Sequence, residues 1–305
     1  MIPQGILQQA RQVCPTCNAT DIVKYGFRNG VQVYKCKPCN KKFTDNGALP
    51  GRRIPPEQVG AALSMFFEGM SYRDIQRNMR QQFGFTPSTA TVYEWVVHYS
   101  KLGRRFMDEY KPKTGDQWVA DETVIKVDGG NVWLWNVIDV DSRYMLATHI
   151  STTRTTRDAE TLFTLAKGRA FKVPKSIVTD GLRAYIDGIE RVFGGDTRHI
   201  QSQGLRAEIN NNLSERMQGT IKDRTKVMRG LEFKRTAELF VDGFRLHYNH
   251  MRPHEALRRK TPAQKAQVPF LLENWLNAAK LDGKNFKPRK TVVGPTIVGK
   301  ARRGL

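Results

Sequence analysis

The sequence predicts an α/β protein: a mixed sheet flanked by helices, preceded by a small cysteine-bearing ribbon and a three-helix unit. Three observations lead there. All four cysteines fall early, as CPTC (Cys14, Cys17) and CKPC (Cys36, Cys39). Residues 56–100 carry helical apolar patterns divided by capping and stop signals. Residues 115–230 then alternate strand-like with helix-like segments, as in α/β layer architectures.

The two C-x₂-C knuckles have the spacing of a four-thiolate zinc site, in which two tight turns each present two sulfurs and four complete a tetrahedron. The intervening IVKYGFRNGVQVYKC reads as a β-hairpin, with Arg28-Asn29-Gly30 supplying type I′ turn chemistry. A module this small has little core, so one structural Zn²⁺ on Cys14, Cys17, Cys36 and Cys39 is expected to supply much of its folding energy. This zinc ribbon is assigned to residues 1–48. Lys24, Arg28, Lys35, Lys37, Lys41 and Lys42 surround the knuckles and suggest phosphate contacts.

After PGRRIP, which reads as a linker, Pro56 opens a helix that closes near Gly69. Ser71 caps the next, with Asp74 at the capping-box position, and Gly84 ends it. Ser88 or Thr89 caps a third, ATVYEWVVHYS. Three short helices with a tight turn between the first two suggest a helix-turn-helix DNA-binding domain over 55–102. Thr89, Thr91, Tyr93 and Glu94 are then the exposed residues of its recognition helix.

The core, assigned to 114–268, begins with two strand-like runs, GDQWVADETVIKV and NVWLWNVIDVDSRYMLATHIS. Asp128-Gly129-Gly130-Asn131 between them is hairpin turn chemistry. A helix opens at Thr155-Thr156-Arg157-Asp158. SIVTD is a short buried strand, LRAYIDGIERVF a helix and DTRHIQ another short strand. The last helix of this core carries Glu215. At 100° per residue, Ile209, Leu213, Met217 and Ile221 lie about 120–240° from Glu215, on the opposite face, while Lys222 and Arg229 lie about 20° and 40° from it. Residues 231–280 hold further helical patterns, and 269–305 are read as a C-terminal helix and a basic tail.

Three carboxylates stand out. Asp121 and Asp180 end strand-like runs and Glu215 sits on a helix, with 34 residues between Asp180 and Glu215. Converging carboxylates of this kind can hold two divalent ions for phosphoryl transfer, stabilising the attacking and leaving oxygens. The global charge agrees with a polyanionic partner: 50 Lys+Arg against 29 Asp+Glu give a net charge of +21, and nucleic acid is the commonest such partner. No apolar stretch approaches the roughly 20 residues that span a bilayer, and MIPQGILQQARQVC lacks the pattern of a secretory signal. A cytoplasmic, nucleoid-associated protein with no membrane partner is expected.

These residues carry a resemblance. Asp121, Asp180 and Glu215 with their spacing, the helical NNxxE-to-Lys222 run, and HYNHMRPHEAL…TPAQ resemble insertion-sequence transposases of the DDE superfamily, which share a retroviral-integrase-like, ribonuclease-H-like core. The resemblance covers roughly residues 10–270, including the zinc ribbon and helix-turn-helix of some prokaryotic members. It implies two Mg²⁺ (or Mn²⁺) ions held by Asp121, Asp180 and Glu215, nicking at the 3′ ends of an element, and strand transfer into target DNA. It also implies double-stranded DNA as partner, both terminal inverted repeats and target, with a homodimer or higher multimer acting on paired ends. Lys222, Arg229 and Arg216 would then grip DNA phosphates, while Thr89, Thr91 and Tyr93 would help read the end sequence. Two other readings are a domesticated, non-catalytic DNA-binding regulator and a metal-dependent nuclease or resolvase.

Glu122 directly follows Asp121, and the sequence leaves open whether it assists or faces the core. Asp139 and Asp141 are expected in a turn or ion-pair role. His247, His250 and His254 have ligand-like spacing but are expected to serve packing, and His199 is placed near the active site or DNA backbone.

Overall fold

The computed structural model describes residues 13–28, 31–44, 48, 52–170, 172–202, 212–227, 234–269 and 272–280. The Asn29-Gly30 turn, Ile209, Arg229 and the tail beyond 280 lie outside them, as does the side chain of Glu215.

The N-terminal module is a three-stranded antiparallel sheet of β1 (Ile22–Arg28), β2 (Val31–Cys36) and β3 (Lys42–Thr44). Its two knuckles are built alike. Each ends on an asparagine in the left-handed region, Asn18 at φ 57° and Asn40 at φ 56°. Asparagine tolerates that conformation better than most residues, and the two reversals accompany the convergence of the cysteine pairs on one another.

Three helices follow: α1 (Pro56–Phe67), α2 (Tyr72–Phe83) and α3 (Thr89–Glu109). The caps are those the sequence announces. Ser71 and Asp74 form a reciprocal capping box, Gly84 closes α2 at φ 63°, and the Ser88 hydroxyl accepts from the Thr91 amide. Past Ser100, α3 continues to Glu109 because the apolar spacing continues through Gly103, Phe106 and Met107, all buried.

The larger sheet has five strands in the order β6-β5-β4-β7-β8. β4 (Gln117–Val127) and β5 (Gly130–Asp139) form the hairpin, turning through Asp128 and Gly129 at φ 51° and 70°. β6 (Met145–Ser151) pairs antiparallel with β5. On the other side β7 (Ser176–Thr179) runs parallel to β4, and β8 (Arg198–Gln201) parallel to β7. The helices α4 (Thr156–Ala170) and α5 (Arg183–Phe193) cover one face, packing Leu162, Phe163, Tyr185 and Phe193 on Trp118, Trp135 and Val137.

Ile125, Leu134, Ile138 and Ile150 belong to the other apolar cluster, with Met217 and Ile221 of α6 (Asn212–Val227) and Phe240 and Phe244 of α7 (Lys234–Leu246). Met217 and Ile221 are thus the buried stripe expected of α6. Arg224, three residues beyond Ile221, falls on the same stripe and is buried, its guanidinium carbon 3.9 Å from the centre of the Phe66 ring.

The same cluster takes in Phe66, Phe67 and Met79 from the N-terminal helices and Trp275 from α9 (Trp275–Lys280). Phe67 stacks on Trp275 at 4.6 Å. Glycines let α3 and α7 cross closely: a Cβ on Gly103 would stand 2.4 Å from Leu246 Cδ2, and one on Gly243 2.2 Å from Ser100 Oγ. The helical pattern expected through 262–280 divides into α8 (Pro262–Lys265) and α9. Gln267 takes a positive φ of 52° and Pro269 follows, and proline disfavours the helical region for its predecessor.

Candidate active site

Strand register brings Asp121 and Asp180 together. Trp118 pairs with Ile177 and Val119 with Val178 in the parallel β4–β7 ladder. Two residues beyond that last pair stand Asp121, still within β4, and Asp180, the first residue after β7, so both lie at the same end of the ladder. Trp118 and Ile177 face the α4/α5 layer, so alternation along β4 sends Asp121 toward the α6 side. Asp180 leaves the end of β7 into a tight turn: its Oδ1 accepts from the Leu182 amide at 3.0 Å, and Gly181 takes φ 89°.

The third carboxylate described here is Glu122. One ligand oxygen from each of Asp121, Glu122 and Asp180 fits within 4.8 Å of the others. Glu122 itself is enclosed. Arg154 Nε donates to its Oε1 at 2.7 Å and Nη2 bonds the same oxygen, while the Tyr185 hydroxyl donates to Oε2 at 2.5 Å. Its side chain is 2% exposed against 40% for Asp180. Burial, and then the adjacent Glu122 charge, push the Tyr185 phenol well above its ordinary range, so it stays a donor.

Helix α6 docks on β4 beside these groups, with Gln218 Nε2 donating to the Glu122 carbonyl at 3.0 Å. Glu215 lies one turn before Gln218 on that helix, which brings its backbone to the site. Lys222 and Arg216 are exposed on α6. Behind Asp180, His199 Nε2 shares a 2.9 Å hydrogen bond with the Thr179 hydroxyl, which also accepts from the Gly181 amide at 3.1 Å. Burial lowers the His199 pKa, so a neutral imidazole braces the turn.

An anionic, all-oxygen donor set of this kind fits a hard divalent cation such as Mg²⁺. The ribbon cysteines fit zinc instead. Their four sulfurs lie within 4.8 Å of one another, with Cys14–Cys39 and Cys17–Cys36 each at 3.6 Å.

On α3, Thr89 and Tyr93 are exposed. Thr91 bonds the Ser88 hydroxyl at 2.9 Å, and Tyr93 reaches Thr236 on α7 at 3.4 Å. Asp139 serves the turn, accepting from the Gly115 and Ser142 amides, each at 2.8 Å. The three histidines do not converge on a common point. His247 bonds the Trp275 indole at 3.3 Å, and His250 is packed against Phe106 and Tyr144.

Sequence reasoning left Glu122 open and missed Arg154, Tyr185 and Gln218. The adjacency of Glu122 to Asp121 was a signal for the first. Arg154 arrives through the β6–α4 connection, which has no periodic pattern to place it.

Residues 115–254 match the family described as a DDE domain. The transposase for insertion sequence-like element IS431mec of Staphylococcus aureus strain Mu50 is 29% identical over 113 residues, 36% of this chain and 48% of that protein. The transposase for insertion sequence element IS257 in transposon Tn4003 of Staphylococcus aureus shows the same identity and coverage. The chain therefore spans about half the length of the curated relatives it matches. The HTLV-2 integrase catalytic core domain in complex with magnesium aligns at 17% identity over 51% of this chain and 99% of that one, with a TM-score of 0.40.

Proposed function

We propose, from the premise that residues 115–254 are a DDE domain of the insertion-sequence transposase kind, that this chain nicks the 3′ ends of a mobile element and joins them to target DNA. The observation that carries this reading is the convergence of the Asp121 and Asp180 carboxylates within 4.8 Å, with the Glu215 helix docked on β4 beside them. Two divalent ions held by these three residues would supply a deprotonated water and offset the charge of the leaving oxygen. Asp121, Asp180 and Glu215 would be the residues that hold these ions.

The chain's own groups do the rest. The β4–β5 ladder holds Asp121, and the tight turn that ends β7, braced by Thr179 and His199, fixes the direction of Asp180. Exposed Lys222 and Arg216 continue the α6 surface toward DNA phosphates, contacts that position the duplex and carry little sequence information. Sequence choice falls to the helix-turn-helix around Thr89 and Tyr93, assisted by the zinc ribbon. In the first step water attacks the phosphodiester and the 3′ oxygen leaves. That 3′-hydroxyl then attacks a target phosphodiester, so no covalent link to the protein is needed. Paired element ends call for a dimer or higher multimer.

The test is incubation of the full chain with Mg²⁺ and labelled duplexes carrying the terminal repeats. Joined products are expected. Cut products alone would make the chain a nuclease or resolvase, and neither product would make it a regulator.

A further inference from the structure

Arg154 is held on three sides. Its Nε and Nη2 bond Glu122, its Nη2 lies 3.5 Å from Asp180 Oδ2, and its guanidinium carbon is 4.8 Å from the centre of the Trp133 ring. Both Glu122 oxygens are engaged, one by Arg154 and the other by Tyr185. We infer that Arg154 is a positioning residue that acts as a built-in counter-cation, withholding Glu122 from metal coordination and competing with the divalent ions for Asp180.

The charges explain why such a device is useful. Asp121, Glu122 and Asp180 together bring three negative charges within 4.8 Å. Without Arg154, Glu122 would be a buried, uncompensated carboxylate beside the two aspartates. It would turn toward any bound cation, tightening its hold and distorting the geometry set by Asp121 and Asp180. With Arg154 in place, Glu122 is spent, and the fixed positive charge keeps metal affinity from rising at the expense of turnover.

This inference rests on the proposal that Asp121 and Asp180 hold catalytic metal, and the experiment separates the two. Mn²⁺ binding to the zinc-loaded full chain is measured by electron paramagnetic resonance for wild type, Arg154→Gln, the double variant Arg154→Gln/Glu122→Gln, and Asp180→Asn. Removing a unit charge this near a divalent ion should tighten Mn²⁺ binding of Arg154→Gln by about tenfold or more, while its cleavage rate at saturating Mn²⁺ falls. The double variant has no unpaired buried carboxylate, so it also guards against a folding failure of the single one. It should return to within about threefold of wild-type affinity, since the liberated ligand is gone. Unchanged or weaker Mn²⁺ binding by Arg154→Gln overturns the inference while leaving the metal site intact. Mn²⁺ binding that is absent from wild type, or unaffected by Asp180→Asn, overturns the metal site itself.

Discussion

Asp121 and Asp180 lie at the same end of the parallel β4–β7 ladder, each two residues beyond its last pair, Val119–Val178. Asp121 is held within the β4–β5 ladder and Asp180 in the tight turn that ends β7, so neither depends on a long loop for its position. Substituting either by Asn keeps shape and removes charge. Asp121→Asn and Asp180→Asn are expected to lower nicking by roughly three orders of magnitude while leaving binding to end duplexes within about threefold. Single-turnover cleavage of labelled ends, alongside a mobility-shift titration, reads both. Strand transfer at the wild-type rate by either variant would remove these residues from the chemistry.

The ribbon makes an independent prediction. Cys14 and Cys36 are fully buried while Cys17 is exposed and Cys39 half-buried, so the site has an inner and an outer pair. Cys14→Ser should abolish bound zinc and unfold the module, because metal binding and folding are one process in units this small. Elemental analysis should give one zinc per wild-type chain and none for the variant. Binding to end duplexes should weaken while the melting of the rest of the chain stays unchanged. A variant that keeps stoichiometric zinc would contradict the four-sulfur site.

Local signals in the sequence were read where local chemistry decides the structure. Both knuckles, the Ser71–Asp74 box, Gly84 and the Asp128-Gly129 turn depend on neighbours within a few residues. What escaped was set by distant contacts. Phe67 meets Trp275 across some two hundred residues of chain, and nothing near either predicts that the N-terminal helices share a core with the sheet. Arg154 reaches Glu122 only once β4, β6 and α4 are assembled. Arg224 is an intermediate case. Its place on the Met217–Ile221 stripe was legible, but a charged residue there reads as an interruption until Phe66 is seen beneath it.

The α3–α7 crossing gives a paired stability prediction. A Cβ on Gly243 would meet Ser100 Oγ at 2.2 Å and Phe67 Cζ at 2.5 Å, and that ring is already stacked on Trp275. Gly243→Ala should therefore destabilise the chain by about 1–2 kcal/mol, because overpacking outweighs the gain in helix propensity. Gly168, in α4, has nothing within 4 Å of its ideal Cβ. Gly168→Ala should stabilise by about 0.5–1 kcal/mol. Urea melts of the two variants should move in opposite directions.

His250 sets an acid limit to stability. It is 1% exposed, neither ring nitrogen has a hydrogen-bond partner among the described residues, and burial lowers its pKa from 6.5 to about 4, with the nearby Arg245 adding to the effect. The folded pKa lies below the unfolded one, so between them the unfolded chain takes up a proton that the folded chain refuses. The protonation penalty is therefore absent above about pH 6.5, and stability is lost as pH falls from there toward 4. At 1.36 kcal/mol per pKa unit the full loss is about 3 kcal/mol. His250→Phe, an apolar ring beside Phe106 and Tyr144, should flatten the stability profile over that window, and its advantage over wild type should grow steadily as pH drops. Urea melts of the two proteins at half-unit steps from pH 7 to 4.5 measure the difference. Parallel profiles would mean that His250 acquires its proton in the folded state, with a partner that satisfies it.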